Sequence, residues 1–120
     1  MLDRLGLGDR AAVPAALLSH GEQRQLELAM ALATKPRVLL LDEPMAGMGA
    51  ADSERMTQLL SALKSEAALL LVEHDMDAVF ALADRITVMT YGRVIATGTP
   101  AEIRANQVVR DAYLGADEAA

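Results

Sequence analysis

The chain of 120 residues is 52% hydrophobic but only 2% aromatic, so its core has to be built from Leu, Val, Ile, Met and Ala. A formal net charge of -6 argues against a nucleic-acid-binding face, which needs clustered cations. The absence of cysteine excludes disulfides, thiolate metal sites and cysteine nucleophiles.

Met1 to Arg10 is short and mixed, with acidic Asp3 and Asp9, and does not read as a signal peptide. No apolar run approaches the ~20 residues of a membrane span, so direct membrane insertion is not expected. Val13-Pro14 breaks the opening segment. Ser19 then opens a helical pattern to about Thr34, with Leu26, Met30 and Ala33 at helical spacing, and Lys35-Pro36 stops it. Val38 to Leu41 is a continuous apolar run ending in Asp42-Glu43-Pro44, which predicts a strand buried on both faces. A glycine-containing loop from Met45 to Ala50 leads to a second amphipathic helix carrying Met56, Leu59, Leu60 and Leu63.

Ala68 to Val72 is another apolar strand, ending in Glu73-His74-Asp75, and Met76 to Ala83 reads as a short helix. Ile86 to Met89 and Val94 to Ala96 flank Tyr91-Gly92, a hairpin signal. Pro100 suits the first position of a helix over Ala101 to Ala105. Val108 to Leu114 forms one more short helix, and residues 116–120 are expected to fray. Two buried strands joined through a helix predict an α/β fold with parallel strands, flanking helices and a C-terminal hairpin. In such sheets ligands bind beyond the carboxyl ends of the strands, where Asp42, Glu43 and His74 all stand.

Three constellations carry chemistry. Asp42 and Glu43 are adjacent carboxylates delivered by an apolar strand; alone, they are as easily a solvated acidic turn. Leu18-Ser19-His20-Gly21-Glu22-Gln23 opens a helix. Ser19-x-x-Glu22 is a capping box, and the exposed N–H groups of that first turn suit phosphate oxygens. Gly21 permits close backbone approach. His74 comes directly after the second strand, and a lone histidine there means little by itself. With His20 it makes no metal site, so zinc is not expected.

Taken together, these residues resemble the ATP-binding-cassette ATPases in motif order and spacing from Leu18 to Leu114. Leu39-Leu40-Leu41-Asp42-Glu43-Pro44 resembles the Walker B strand, and Leu18 to Gln23 resembles the signature motif, with His20 and Glu22 departing from the usual Leu-Ser-Gly-Gly-Gln. His74 resembles the switch histidine. Arg85 to Met89 and Gly92 to Pro100 resemble the family's segment beyond that histidine. The resemblance implies a partial P-loop NTPase-like fold, with residues 1–17 closing the helical subdomain and residues 18–115 forming the C-terminal part of the ATPase domain. It implies ATP and Mg²⁺ as cofactors, with Glu43 and His74 catalytic and Asp42 holding the metal. Ser19, Gly21 and Glu22 would face the nucleotide. The implied partners are membrane permease subunits and a second ATPase subunit, with no nucleic acid. The implied location is cytoplasmic, on the inner face of the membrane through the permease. His20-Gly21-Glu22-Gln23-Arg24, Glu73-His74-Asp75-Met76 and Ala112-Tyr113-Leu114-Gly115 resemble importers of branched-chain amino acids or related amides.

Two departures set further expectations. The chain holds no Gly-x-x-x-x-Gly-Lys-Ser/Thr loop, so it reads as starting in the middle of the ATPase domain and as inactive alone. Ala46-Gly47-Met48-Gly49 stands where the family commonly has Ser-Ala-Leu-Asp. A non-catalytic module donating its signature motif to a complete ATPase is the alternative, and a DNA-repair type is disfavoured by charge and by the absence of heptads. The missing half leaves a strand edge or face uncovered, which predicts marginal stability or association.

Overall fold

The computed structural model describes residues 2–114 and divides into two compact units, Met1–Ala78 and Val79–Ala120. The expected fraying of residues 116–120 lies outside the described residues.

The first unit opens with three short 3-10 turns, at Asp3–Leu5, Gly8–Arg10 and Ala15–Leu17, for which the sequence carries no clear signal. They seat Leu5 and Leu7, both buried. Helix α1 spans His20–Ala33, capped by Ser19 as expected. Its buried face corrects the expected stripe. Gln25, Leu28, Ala29 and Leu32 point inward, Leu26 is half-buried, and Met30 and Ala33 are exposed. Nearly every position from Leu26 to Ala33 is apolar, so periodicity alone could not choose between two faces.

Strand β1 (Val38–Asp42) pairs in parallel with β2 (Ala68–Val72), and α2 (Ala50–Leu63) connects them. Met56, Leu60 and Leu63 of α2 are buried. The register sets Leu40 beside Leu70 and Asp42 beside Val72. The expectation that both strand faces are buried is corrected here. Leu39 is buried, but Val38, Leu40, Leu70 and Val72 on the opposite face are exposed, Leu40 by 72%. Residues of this face suit a covering layer, because parallel strands are ordinarily packed on both sides. The expected bare face is therefore present among the described residues.

Helix α3 (Met76–Leu82) leads into the second unit. There β3 (Ile86–Thr90) and β4 (Arg93–Gly98) form the expected hairpin, antiparallel, with an irregularity between Val88 and Met89. Tyr91 and Gly92 both have positive φ, 50° and 76°, as the tight hairpin turn requires. Helix α4 (Pro100–Ala105) is succeeded by a helical turn at Gln107–Val109 and a π-helical stretch at Arg110–Leu114. Ile86, Val88, Ile103 and Val109 make the core of this unit, with Phe80 and Ile95 against it. The Arg104 guanidinium lies 4.1 Å over the Phe80 ring, and the Tyr113 hydroxyl donates to the Met89 carbonyl.

Candidate functional site

Parallel pairing of β1 with β2 carries their carboxyl ends to one edge of the first unit. There the Glu43 N–H donates to the Val72 carbonyl at 2.7 Å, extending the ladder one step beyond β1. His74 Nε2 consequently comes within 3.5 Å of Glu43 Oε1, although the residues are far apart in sequence. Both side chains are substantially exposed, so this contact contributes little to stability. It does bring together the two expected catalytic groups.

Glu43 also has φ of 48°, in the left-handed region that costs a residue with a side chain about 1–2 kcal/mol. Proline at position 44 makes this more unexpected, since residues before proline favour extended backbone. The turn is held by the Glu43 N–H bond to Val72 and by the Ala46 N–H donating to the Glu43 carbonyl at 3.0 Å. Backbone strain of this kind concentrates where a side chain has to be aimed.

Glu73 belongs to the site as well, although the motif stretch Glu73-His74-Asp75-Met76 assigns it no role of its own. Its Oε2 accepts from the Met45 N–H at 3.3 Å, and its Oε1 accepts from the N–H groups of His74 at 3.0 Å and Asp75 at 3.4 Å. One carboxylate thus joins the loops at the ends of β1 and β2. Asp75 in turn accepts from the Ala78 N–H at 3.2 Å at the start of α3. Loop residues 45–48, Ser53 and residues 73–75 line an open recess of ≈ 420 Å³.

Asp42 is exposed at the end of β1. Among the described residues there is no group of three His, Asp or Glu side chains able to hold a metal ion. Mg²⁺ does not need such a group, because it takes one or two carboxylates and draws its remaining ligands from water and phosphate. An exposed carboxylate at this strand end fits that demand.

The signature-like turn closes as the capping box that the spacing of Ser19 and Glu22 predicts. Ser19 Oγ accepts from the Glu22 N–H at 3.1 Å, while Glu22 Oε1 accepts from the Ser19 N–H at 3.0 Å. Glu22 Oε2 accepts from Arg10 Nε at 3.0 Å. The Ser19 N–H foremost, and Arg10 beside it, lower the Glu22 carboxyl below its ordinary value. The extra charge at position 22 is therefore used as a cap and paired with a cation. Gly21 is buried, and a Cβ there would stand 3.0 Å from Asp52 Oδ2. The close approach that glycine permits is made by the first turn of α2. His20 reaches the loop after β1, with Nε2 2.9 Å from the Ala46 carbonyl oxygen. Nothing in the motif pattern signals the Arg10, Asp52 and Ala46 contacts, because each joins segments distant in the chain.

A parallel strand pair with an acidic pair and a histidine at its carboxyl edge, beside a capped helix start, fits part of the expected P-loop NTPase-like fold. Comparison with known proteins agrees. The family described as ABC transporter matches residues 1–46, and that described as Branched-chain amino acid ATP-binding cassette transporter matches residues 93–119. The chain belongs to the ABC transporter ATPase family. It is 42% identical over 116 residues to the high-affinity branched-chain amino acid transport ATP-binding protein LivG of Salmonella typhimurium, covering 95% of this chain and 46% of that protein. It is 41% identical over 116 residues to the corresponding protein BraF of Pseudomonas aeruginosa, with the same coverage. A solved nucleotide-free ATP-binding cassette from an ABC transporter superposes with a TM-score of 0.83 at 28% identity, covering 95% of this chain and 47% of that one. The chain thus spans about half the length of the curated relatives it matches. Among the described residues no helix is long and apolar enough to cross a membrane.

Proposed function

We propose that this chain supplies the acidic pair, the switch histidine and the signature turn of the ATP-hydrolysing subunit of an ABC importer for branched-chain amino acids or related amides. The observation that carries this reading is the 3.5 Å approach of His74 to Glu43 at the shared edge of β1 and β2. In this role Glu43 accepts the proton of an attacking water, and His74 holds the carboxylate and meets the terminal phosphate. Asp42 would hold Mg²⁺, which would supply charge neutralisation on the phosphates. Ser19 and the first-turn N–H groups of α1 face phosphate oxygens of a nucleotide on a second ATPase subunit.

The chain contains no phosphate-binding loop of its own. Phosphoryl transfer depends on positioning and charge stabilisation, so Glu43 alone gives no turnover. Permease subunits would hold such an ATPase at the inner face of the membrane. The test is MgATP turnover by the purified chain, and by the chain with a separately expressed family segment carrying the phosphate loop. Turnover only in the mixture, lost in Glu43→Gln, supports the reading. Stimulation of a complete family ATPase that survives Glu43→Gln but is lost in Ser19→Ala favours the alternative, a non-catalytic donor of the signature turn.

A further inference from the structure

His20 stands where the family motif carries glycine, and neither the cap nor the Glu43–His74 pair uses its side chain. Its Nε2 lies 2.9 Å from the Ala46 carbonyl oxygen, between residues 26 positions apart. A carbonyl oxygen only accepts, so Nε2 carries the hydrogen and donates it. The receiving loop is tightly turned. Ala46 N–H donates to Glu43, Met48 N–H donates to Met45 at 3.1 Å, and Gly47 has φ of 76°. A Cβ at Gly47 would stand 2.9 Å from His20 Nε2 and 3.2 Å from its Cδ2, so the imidazole lies against bare backbone.

We infer that His20 is a positioning residue that ties the loop bearing Glu43 to the first turn of α1. The tether is one donor–acceptor pair. Removal of the donor frees the loop, and another side chain with an N–H at similar reach restores it. The inference rests on the proposed function only for what its two ends do, since Ser19 and Gly21 lie at one end and Glu43 at the other. With the tether in place, a displacement of the α1 first turn reaches the Glu43 loop directly, rather than only through the core.

The test is amide hydrogen exchange by NMR on the full chain without nucleotide, in wild type, His20→Ala and His20→Gln. In His20→Ala, the Ala46 and Met48 amides should exchange about 3- to 10-fold faster, the effect of losing one hydrogen bond in a local opening. The Glu43 amide on the β1–β2 ladder should keep its rate, which shows that the variant is folded. His20→Gln should return Ala46 and Met48 to near wild-type rates. Equal rates in wild type and His20→Ala, or no rescue by His20→Gln, would overturn the inference. A wild-type measurement guards against a variant that fails to fold. Ring ¹⁵N shifts should place a hydrogen on His20 Nε2 at neutral pH, and a bare Nε2 would also overturn it. Absence of turnover in the reconstituted wild type would sink the proposed function while leaving these exchange results intact.

Discussion

The strand pairs β1–β2 and β3–β4 have similar lengths but end in different states. The hairpin β3–β4 alternates. Ile86 and Val88 enter a core with Ile103 and Val109, while Thr87 and Thr97 meet on the other face with hydroxyl oxygens 3.2 Å apart. The parallel pair β1–β2 is apolar on both faces. It buries Leu39 and presents Val38, Leu40, Leu70 and Val72 outward. The second unit is thus written as a sheet with one wet face, and the first as a sheet with two dry ones. The unit that carries the acidic pair and the histidine is the one whose sequence asks for another layer.

The largest expected effects test whether each unit has a real core. Ile103→Ala in the second unit and Leu60→Ala in the first each remove a side chain with at most 1% exposure, and each should cost about 2–5 kcal/mol in chemical denaturation. If either cost is below about 1 kcal/mol, that unit is loosely packed, and the comparison fails on that side. Next is Glu73, whose carboxylate holds three N–H groups across the two strand-end loops. Glu73→Ala should destabilise by about 1–3 kcal/mol and broaden the NMR signals of Met45 and His74. Unchanged signals would show that the edge is organised by the strands alone.

Gly47→Ala should cost about 1 kcal/mol or more in the same assay, because it places a Cβ at positive φ against His20. The outward face should respond least. Leu40→Ser with Leu70→Thr should change stability by no more than about 0.5 kcal/mol. The same pair should lower binding of a hydrophobic dye, which the hairpin variant Met89→Thr should reduce less. A large loss of stability in the double variant would mean that this face is already covered.

The two units also share one device, a capping box. Thr99 and Glu102 repeat at α4 what Ser19 and Glu22 do at α1. The Thr99 N–H foremost, then its hydroxyl and the Arg85 charge, lower the Glu102 carboxyl, as Ser19 and Arg10 lower that of Glu22. A lowered folded value means that the contribution is present above the unfolded value. It is then lost as pH falls through the lowered one. Glu22→Gln and Glu102→Gln should each flatten the acid limb of stability below about pH 4.5, measured by urea melts between pH 7 and pH 3. An unaltered acid limb in both would show that the boxes form without the charge.

The strand pairing, the hairpin turn and the placement of Asp42, Glu43 and His74 at the strand ends were readable because each rests on a local pattern: an apolar run, Tyr91-Gly92, or polar residues directly after a strand. The inward face of α1 was not readable, since Leu26 to Ala33 is apolar almost all round and tertiary packing selected Leu28 and Leu32. The positive φ of Glu43 runs against the local preference before Pro44 and is imposed by its bond to Val72. The His20–Ala46 contact joins distant segments and leaves no spacing to read. By contrast, Thr99-x-x-Glu102 was a legible box, obscured by the stronger helix signal of Pro100 between its members.

The proposed function stands or falls on whether Asp42, Glu43 and His74 work as part of a nucleotide site completed by a phosphate loop from outside these 120 residues. Steady-state MgATP hydrolysis by the chain mixed with a family segment that carries that loop decides the matter. Neither piece alone should turn over ATP. The mixture should, with at least about a hundredfold loss in Glu43→Gln, the scale of removing a general base. Turnover by the chain alone, or by a mixture indifferent to Glu43→Gln, would refute the proposal.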